Sequence, residues 1–146
     1  AALVFTDLLG SLQEQGQSVP DRLEALGRSH GLHATRTWSV RIPGAGAAKR
    51  MRAAVAAVVD EPPISLAGFD VVGVDRPADD VIVLTLDEGA RVVVRPSGTE
   101  PKVKCYLQVV VTEIGPGADG WRAARATGEE RLDALQAAIG EVTGLA

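Results

Sequence analysis

The sequence predicts an α+β fold, an antiparallel sheet with helices packed on one face, preceded by an N-terminal helical hairpin. Three observations predict it. Short β-branched runs at residues 71–74, 81–86 and 92–94 follow one another across links of a few residues, too short for the crossovers that parallel strands need. A strand-like segment and then a helix-period segment carrying Met51, Val55, Val58 and Val59 come before those runs. The chain closes on a long stretch with Trp121, Leu132, Leu135, Ile139 and Val142 largely at helical spacing. The order strand, helix, several strands, helix is that of a sheet with helices gathered on one side.

Taken in order, Phe5, Leu8, Leu9 and Leu12 give the first helix an apolar stripe that halts at Gly16. Ser18, with Asp21 three residues on, is the pattern of a capping box for a second helix carrying Leu23 and Leu26 and ending near Gly31. The first helix starts without an initiator methionine or a capping residue, so the chain reads as a fragment: residues 1–32 a hairpin from the end of a preceding domain, residues 33–146 the domain proper. Such a hairpin, with no sheet of its own to cover, is expected to leave its apolar stripe exposed.

Residues 35–42 alternate as a strand that Pro43 and Gly44 end, and Pro62-Pro63 break the helix that follows. Asp75-Arg76-Pro77 and Asp87-Glu88-Gly89 read as turns. The last strand, residues 103–111, alternates so that Val103, Cys105, Leu107 and Val109 share one face and Lys102, Lys104, Tyr106 and Gln108 the other. In the final helix Asp119 is available near the start and Gly144 at the end. Gly128 weakens the middle by about 1 kcal/mol relative to alanine, and Thr127 with Glu130 could restart the helix there; one helix is the preferred reading.

A formal net charge of −4 gives no global basic field to attract nucleic acid or anionic lipid, and no run is apolar enough to span a bilayer. The opening residues carry no signal-peptide pattern. The single cysteine, Cys105, excludes an intrachain disulfide and a thiolate metal cluster, which suits a reducing cytoplasm, and its place in the alternation makes it a buried structural thiol. Lys49, Arg50 and Arg52 are the densest basic cluster, on the solvated face of a helix.

Function is concentrated in the string RPSGTEPKVK at residues 95–104, an exposed polar loop between two apolar strands. Gly98 allows a tight turn and close approach of the backbone to an anion. Loop amides with the Ser97 and Thr99 hydroxyls can hydrogen-bond phosphate oxygens, Arg95 offers a planar fork and Lys104 a point charge. A hairpin would bring Arg95 and Lys104 together, where their repulsion favours a bound dianion. Other candidates are weaker. Gly44-x-Gly46 reads as a turn; His30 and His33, which lack an accompanying acidic or thiol cluster, as exposed residues at a helix end; Asp79-Asp80 and Glu129-Glu130 as adjacent pairs whose side chains diverge; Trp38 and Trp121 as core residues.

The complete string, followed by an aromatic in CYLQV, resembles the phosphate-binding loop in the last domain of the α-D-phosphohexomutases, the phosphoglucomutases and phosphomannomutases. The resemblance implies a fold often described as TATA-box-binding-protein-like, with no DNA binding. It places Arg95, Ser97, Gly98, Thr99 and Lys104 at the positions that contact the phosphate not being transferred, with Glu100 and Lys102 as more variable members. It also implies a full-length isomerase that interconverts hexose 1-phosphates and 6-phosphates through a phosphoserine and a bisphosphate, using Mg²⁺ held by an Asp-rich loop. The serine loop, the metal loop and the sugar-recognition loop do not occur in this sequence, so catalysis by the chain alone is not expected. Its partners would be glucose or mannose phosphates and the other domains of the same enzyme. Phosphopentomutase, phosphoglucosamine mutase and a non-catalytic sugar-phosphate-binding module stand as alternatives.

Overall fold

Alternate residues of the strands decide which face of the sheet is dry. In the computed structural model, which describes residues 2–145, β1 (Leu32–Arg41), β2 (Ser65–Leu66), β3 (Phe69–Ala78), β4 (Val81–Leu86), β5 (Arg91–Pro96) and β6 (Lys102–Val111) form one sheet. Its order is β1-β6-β5-β4-β3-β2, and every neighbouring pair is antiparallel. Ile82, Leu84 and Leu86, Val92 and Val94, and Val103, Cys105, Leu107 and Val109 all face inward and are buried. Against them lie Ala54, Val55 and Val58 of α3 (Ala47–Asp60) and Leu132, Leu135 and Ile139 of α4 (Gly117–Thr143). Burying each Leu, Ile or Val of this layer contributes about 1.5–3 kcal/mol relative to leaving it in water. Both helices thus cover one face, as the sequence predicts, and the other carries the polar residues of β6. Cys105 sits in the dry layer, where burial pushes its thiol up to about 12, so it is neither thiolate nor nucleophile at neutral pH.

The final helix is continuous through Gly128. A Cβ at that glycine would stand 3.0 Å from the Cβ of Ala34, so the missing side chain lets β1 approach the helix, and that packing outweighs the weak helix propensity. Arg36, on the same strand, reaches α4 to pair with Glu129 at 2.8 Å and Asp133 at 2.5 Å. Gly144 closes the helix in a left-handed conformation, while the start is made by Pro116 with no side-chain cap; Asp119 lies in the first turn, paired with Arg122.

Two expectations change. Asp75-Arg76-Pro77 are not a turn: β3 runs on to Ala78, and the link to β4 falls at Asp79-Asp80. Proline is tolerated because it lies where the β3–β4 register shifts, between Asp75 and Ala78, and because β2 pairs only with residues 69 and 70 and leaves the outer flank of β3 open there. Trp38 packs against the core as expected, but Trp121 does not belong to it. Its ring lies over Gly27, where an added Cβ would come within 2.6 Å.

That contact involves the N-terminal hairpin, α1 (Ala2–Glu14) and α2 (Val19–His30). The Ser18–Asp21 capping box is present, with Ser18 N donating to Asp21 Oδ2 at 2.8 Å and Asp21 N to Ser18 Oγ at 3.3 Å. The hydrogen bonds from Ser18 hold the Asp21 carboxyl below its ordinary value. Arg28 fastens α2 to the start of α4 by donating to the carbonyls of Gly115 and Gly117 at 2.7 and 2.6 Å. In α1 only Leu12 is buried; Leu3, Val4, Phe5, Leu8 and Leu9 are exposed, as are Leu23 and Leu26 of α2. Among the described residues no helix is long and apolar enough to cross a membrane.

Candidate functional site

The hairpin of β5 and β6 sets the site. Arg95 and Lys104 are register partners, and because Val94, Val103 and Cys105 point into the core, both cations stand on the face away from the helices. The link between the strands, residues 97–101, is tied at its ends by backbone. Ser97 N donates to Lys102 O at 2.8 Å, Lys102 N to Glu100 O at 2.8 Å, and Ile42 N, just after β1, to Pro101 O at 2.7 Å. Between those ties the amides of Gly98, Thr99 and Glu100 and the hydroxyls of Ser97 and Thr99 make no hydrogen bond to the described residues. Groups of this kind require water or a ligand.

Gly98 corrects one expectation. Its φ is not positive, and a Cβ added there would meet nothing within 4 Å, so neither the turn nor packing within the chain demands glycine. What its absent side chain provides is unobstructed access to the loop amides from outside.

The electrostatics divide the cations into two pairs. Arg95 is exposed and has only a long contact, 3.5 Å, from its Nε to the Pro96 carbonyl; Lys104 is half-buried. Neither has an acidic partner among the described residues. Lys102 and Arg41 are engaged by one carboxylate, with Glu100 lying 2.5 Å from the Lys102 ammonium and 3.2 Å from the Arg41 guanidinium. The hydrogen bond and charge of Lys102, with Arg41 and Lys104 adding to the field, hold the Glu100 carboxyl below its ordinary value.

Arg41 is the member that sequence reasoning missed. The period-two alternation of β1 places it on the polar face, but only pairing of β1 with β6, which sets Arg41 opposite Lys102 and Ser39 opposite Lys104, brings it to the loop. The structure therefore gathers all five expected residues, Arg95, Ser97, Gly98, Thr99 and Lys104, at one end of a hairpin and adds Arg41 beside them.

The remaining candidates lie elsewhere. Gly44 and Gly46 have φ of 84° and 83° and form the approach to α3, where the Arg50 guanidinium donates to the Pro43 carbonyl and closes the turn. Lys49, Arg50 and Arg52 are exposed on α3, and His30 and His33 are exposed as expected. Among the described residues no three His, Cys, Asp or Glu side chains converge as a metal site. A groove of about 490 Å³ between α2 and α4, lined by Leu23, Leu26 and Trp121 among others, shares no residue with the loop.

Comparison with known proteins decides the family. A sequence model described as "Phosphoglucomutase/phosphomannomutase, C-terminal domain" matches residues 45–114, a span that holds α3, strands β2 to β6 and the whole loop. The chain carries a phosphohexomutase C-terminal domain. It is 33% identical over 113 residues to the "Probable phosphomannomutase" of Haemophilus influenzae, an alignment covering 73% of this chain and 22% of that protein. Phosphoglucomutases of Staphylococcus aureus strains MRSA252 and USA300 are each 26% identical over 117 residues, covering 67% of the chain and 21% of their own length. The chain thus spans about a fifth of the relatives it matches. The curled antiparallel sheet with its helices is the TATA-box-binding-protein-like fold of this phosphohexomutase domain.

Proposed function

We propose that this domain grips the non-reacting phosphate of a hexose phosphate in a phosphoglucomutase or phosphomannomutase. The observation that carries the reading is the coincidence of two uncommitted cations, Arg95 and Lys104, with free loop amides and hydroxyls at one end of the hairpin. A dianion placed there accepts hydrogen bonds from the amides and from Ser97 and Thr99, while the forked guanidinium of Arg95 and the ammonium of Lys104 neutralise its charge. Such a set recognises a phosphate without strong demands on the sugar.

That tolerance suits the chemistry. A phosphoserine would pass its phosphoryl group to the free hydroxyl of a hexose monophosphate, and the bisphosphate would turn over and return its other phosphoryl group to the serine. The loop would hold either phosphate in turn, fixing the reacting end by position and charge. The catalytic serine and the residues holding Mg²⁺ would be supplied by other domains of a longer cytoplasmic enzyme; among the described residues no donor set converges for the metal, and the part of this domain would be to hold phosphate and exclude water. Residues 1–32 would be the closing helices of the preceding domain, and the exposed stripe of α1 the surface that domain covers.

The test is the longer enzyme carrying Arg95→Ala together with Lys104→Ala. Charge-assisted hydrogen bonds are worth about 1.5–3 kcal/mol each, so kcat/KM for glucose 1-phosphate should fall by at least about 100-fold. Activity equal to that of the unaltered enzyme would defeat the reading.

A further inference from the structure

The Glu100 carboxylate occupies a position among cations where a ligand anion would otherwise be the natural occupant. It takes up Lys102 at 2.5 Å and Arg41 at 3.2 Å, although the register sets both residues on the face that carries Arg95 and Lys104, at the end of the strands where the loop with its unpartnered amides begins. A bridge of this kind could be there to hold the loop in place. The backbone argues against that, because three main-chain hydrogen bonds already fix residues 97–101: Ser97 to Lys102, Lys102 to Glu100, and Ile42 of the neighbouring β1 end to Pro101. Two of the three side chains in the bridge are also open to solvent, Arg41 at 68% and Glu100 at 42%, with only Lys102 half-buried, and an ion pair to so exposed a carboxylate contributes little to stability.

We propose that Glu100 is an internal counter-anion that competes with the substrate phosphate for Arg41 and Lys102, and so sets how tightly the loop holds its ligand. This rests on the phosphate-binding role of the loop. With Glu100 in place the patch has four cations, Arg41, Arg95, Lys102 and Lys104, of which two are committed internally. A dianion then meets strong fields from Arg95 and Lys104 and a half-compensated field from the other two. A mutase whose bisphosphate has to leave the loop and return turned around gains from such restraint, since an over-tight grip would slow its reorientation. Lys102 keeps the Glu100 carboxyl below its ordinary value, so the competitor stays charged throughout the range in which a phosphate monoester takes its second charge.

The competition makes a prediction of sign. Removing the charge with Glu100→Gln frees Arg41 and Lys102 and should tighten glucose 1-phosphate binding about two- to five-fold, the scale of one solvated ion pair, with a steeper loss of affinity as salt is raised. Adding Arg41→Ala to Glu100→Gln should cancel part of that gain, whereas Arg41→Ala with Glu100 present should change affinity less. Binding is read by amide NMR shifts of the chain titrated with glucose 1-phosphate, with glucose as the uncharged control. Unchanged or weaker binding in Glu100→Gln, with binding in the unaltered chain abolished by Arg95→Ala, would overturn the competition and leave the phosphate loop standing. Absence of shifts in both the unaltered chain and Glu100→Gln would overturn both.

Discussion

The two links flanking β5 do the same topological job and are built in opposite ways. Residues 87–89, a single 3-10 turn between β4 and β5, use their polar groups on the fold itself. Ala90 N donates to Asp87 O at 3.0 Å, Leu86 N to Ala90 O at 2.9 Å, and the Asp87 carboxylate accepts from Asp70 N at 3.0 Å. The Glu88 carboxylate pairs with Arg131 of α4 at 3.1 Å. Gly89 is required twice over, by a φ of 73° and by Val110, whose Cγ2 would lie 3.2 Å from an added Cβ. At the other end of β5, residues 97–101 leave three amides and two hydroxyls without a partner among the described residues, next to the unpaired cations Arg95 and Lys104 of the flanking strands, and a glycine with open space around it. The difference teaches where to look for function on a sheet: not at the link that is polar, but at the one whose polar groups are unspent.

The contrast breaks most sharply at the cations. In the chain itself, Arg95→Ala with Lys104→Ala should weaken glucose 1-phosphate binding at least about 100-fold, from two charge-assisted contacts of about 1.5–3 kcal/mol each. Urea unfolding of the same variant should shift by no more than about 0.5 kcal/mol, the range of surface changes, since the pair repel each other in the free state. A large loss of stability would mean the site is part of the fold after all.

The glycines sharpen the contrast next. Gly89→Ala should cost about 1–3 kcal/mol, from the left-handed backbone and the crowding by Val110, visible as a lower urea midpoint. Gly98→Ala should leave that midpoint where it is, or raise it slightly through the unfolded chain, while weakening phosphate binding. Equal destabilisation by the two changes would erase the distinction between the links.

Arg131 supports the structural link alone. Arg131→Ala loses the Glu88 pair, a 3.3 Å bond to the Val110 carbonyl and a guanidinium placed 5.8 Å from the centre of the Phe69 ring, a loss of about 1 kcal/mol with glucose 1-phosphate binding unchanged. A loss of binding without a loss of stability would reverse the assignment.

The smallest effect is with pH. Glu100 has its carboxyl pKa lowered in the folded chain, so its contribution to stability is present above the ordinary carboxylate value and is lost as pH falls through the lowered one. Any stability advantage of the unaltered chain over Glu100→Gln should therefore shrink below about pH 4.3, the unperturbed glutamate value, and a carboxyl titration by NMR should find Glu100 below that value. A titration above it would remove the bridge to Lys102.

What the sequence determined by itself was local. Alternation in residues 103–111 assigned Val103, Cys105, Leu107 and Val109 to the dry face and Lys102 and Lys104 to the wet one, and Ser18 with Asp21 marked the start of α2, because these signals depend on neighbours two to four residues away. The string at residues 95–104 was legible for the same reason, since a hairpin of adjacent strands is itself a short-range structure. The tertiary structure alone decided what depends on distant partners. β1 pairs with β6 rather than with a sequence neighbour, which carries Arg41 to a carboxylate 59 residues away. Gly128, in a helix the sequence already favours as continuous, turns out to be a point of contact with Ala34, and Trp121 lies over Gly27 outside the core, because close packing outweighs propensity once two elements meet. Gly98 shows the limit from the other side. The sequence marked it as special, but the structure moved the reason from the turn to the open space above the amides.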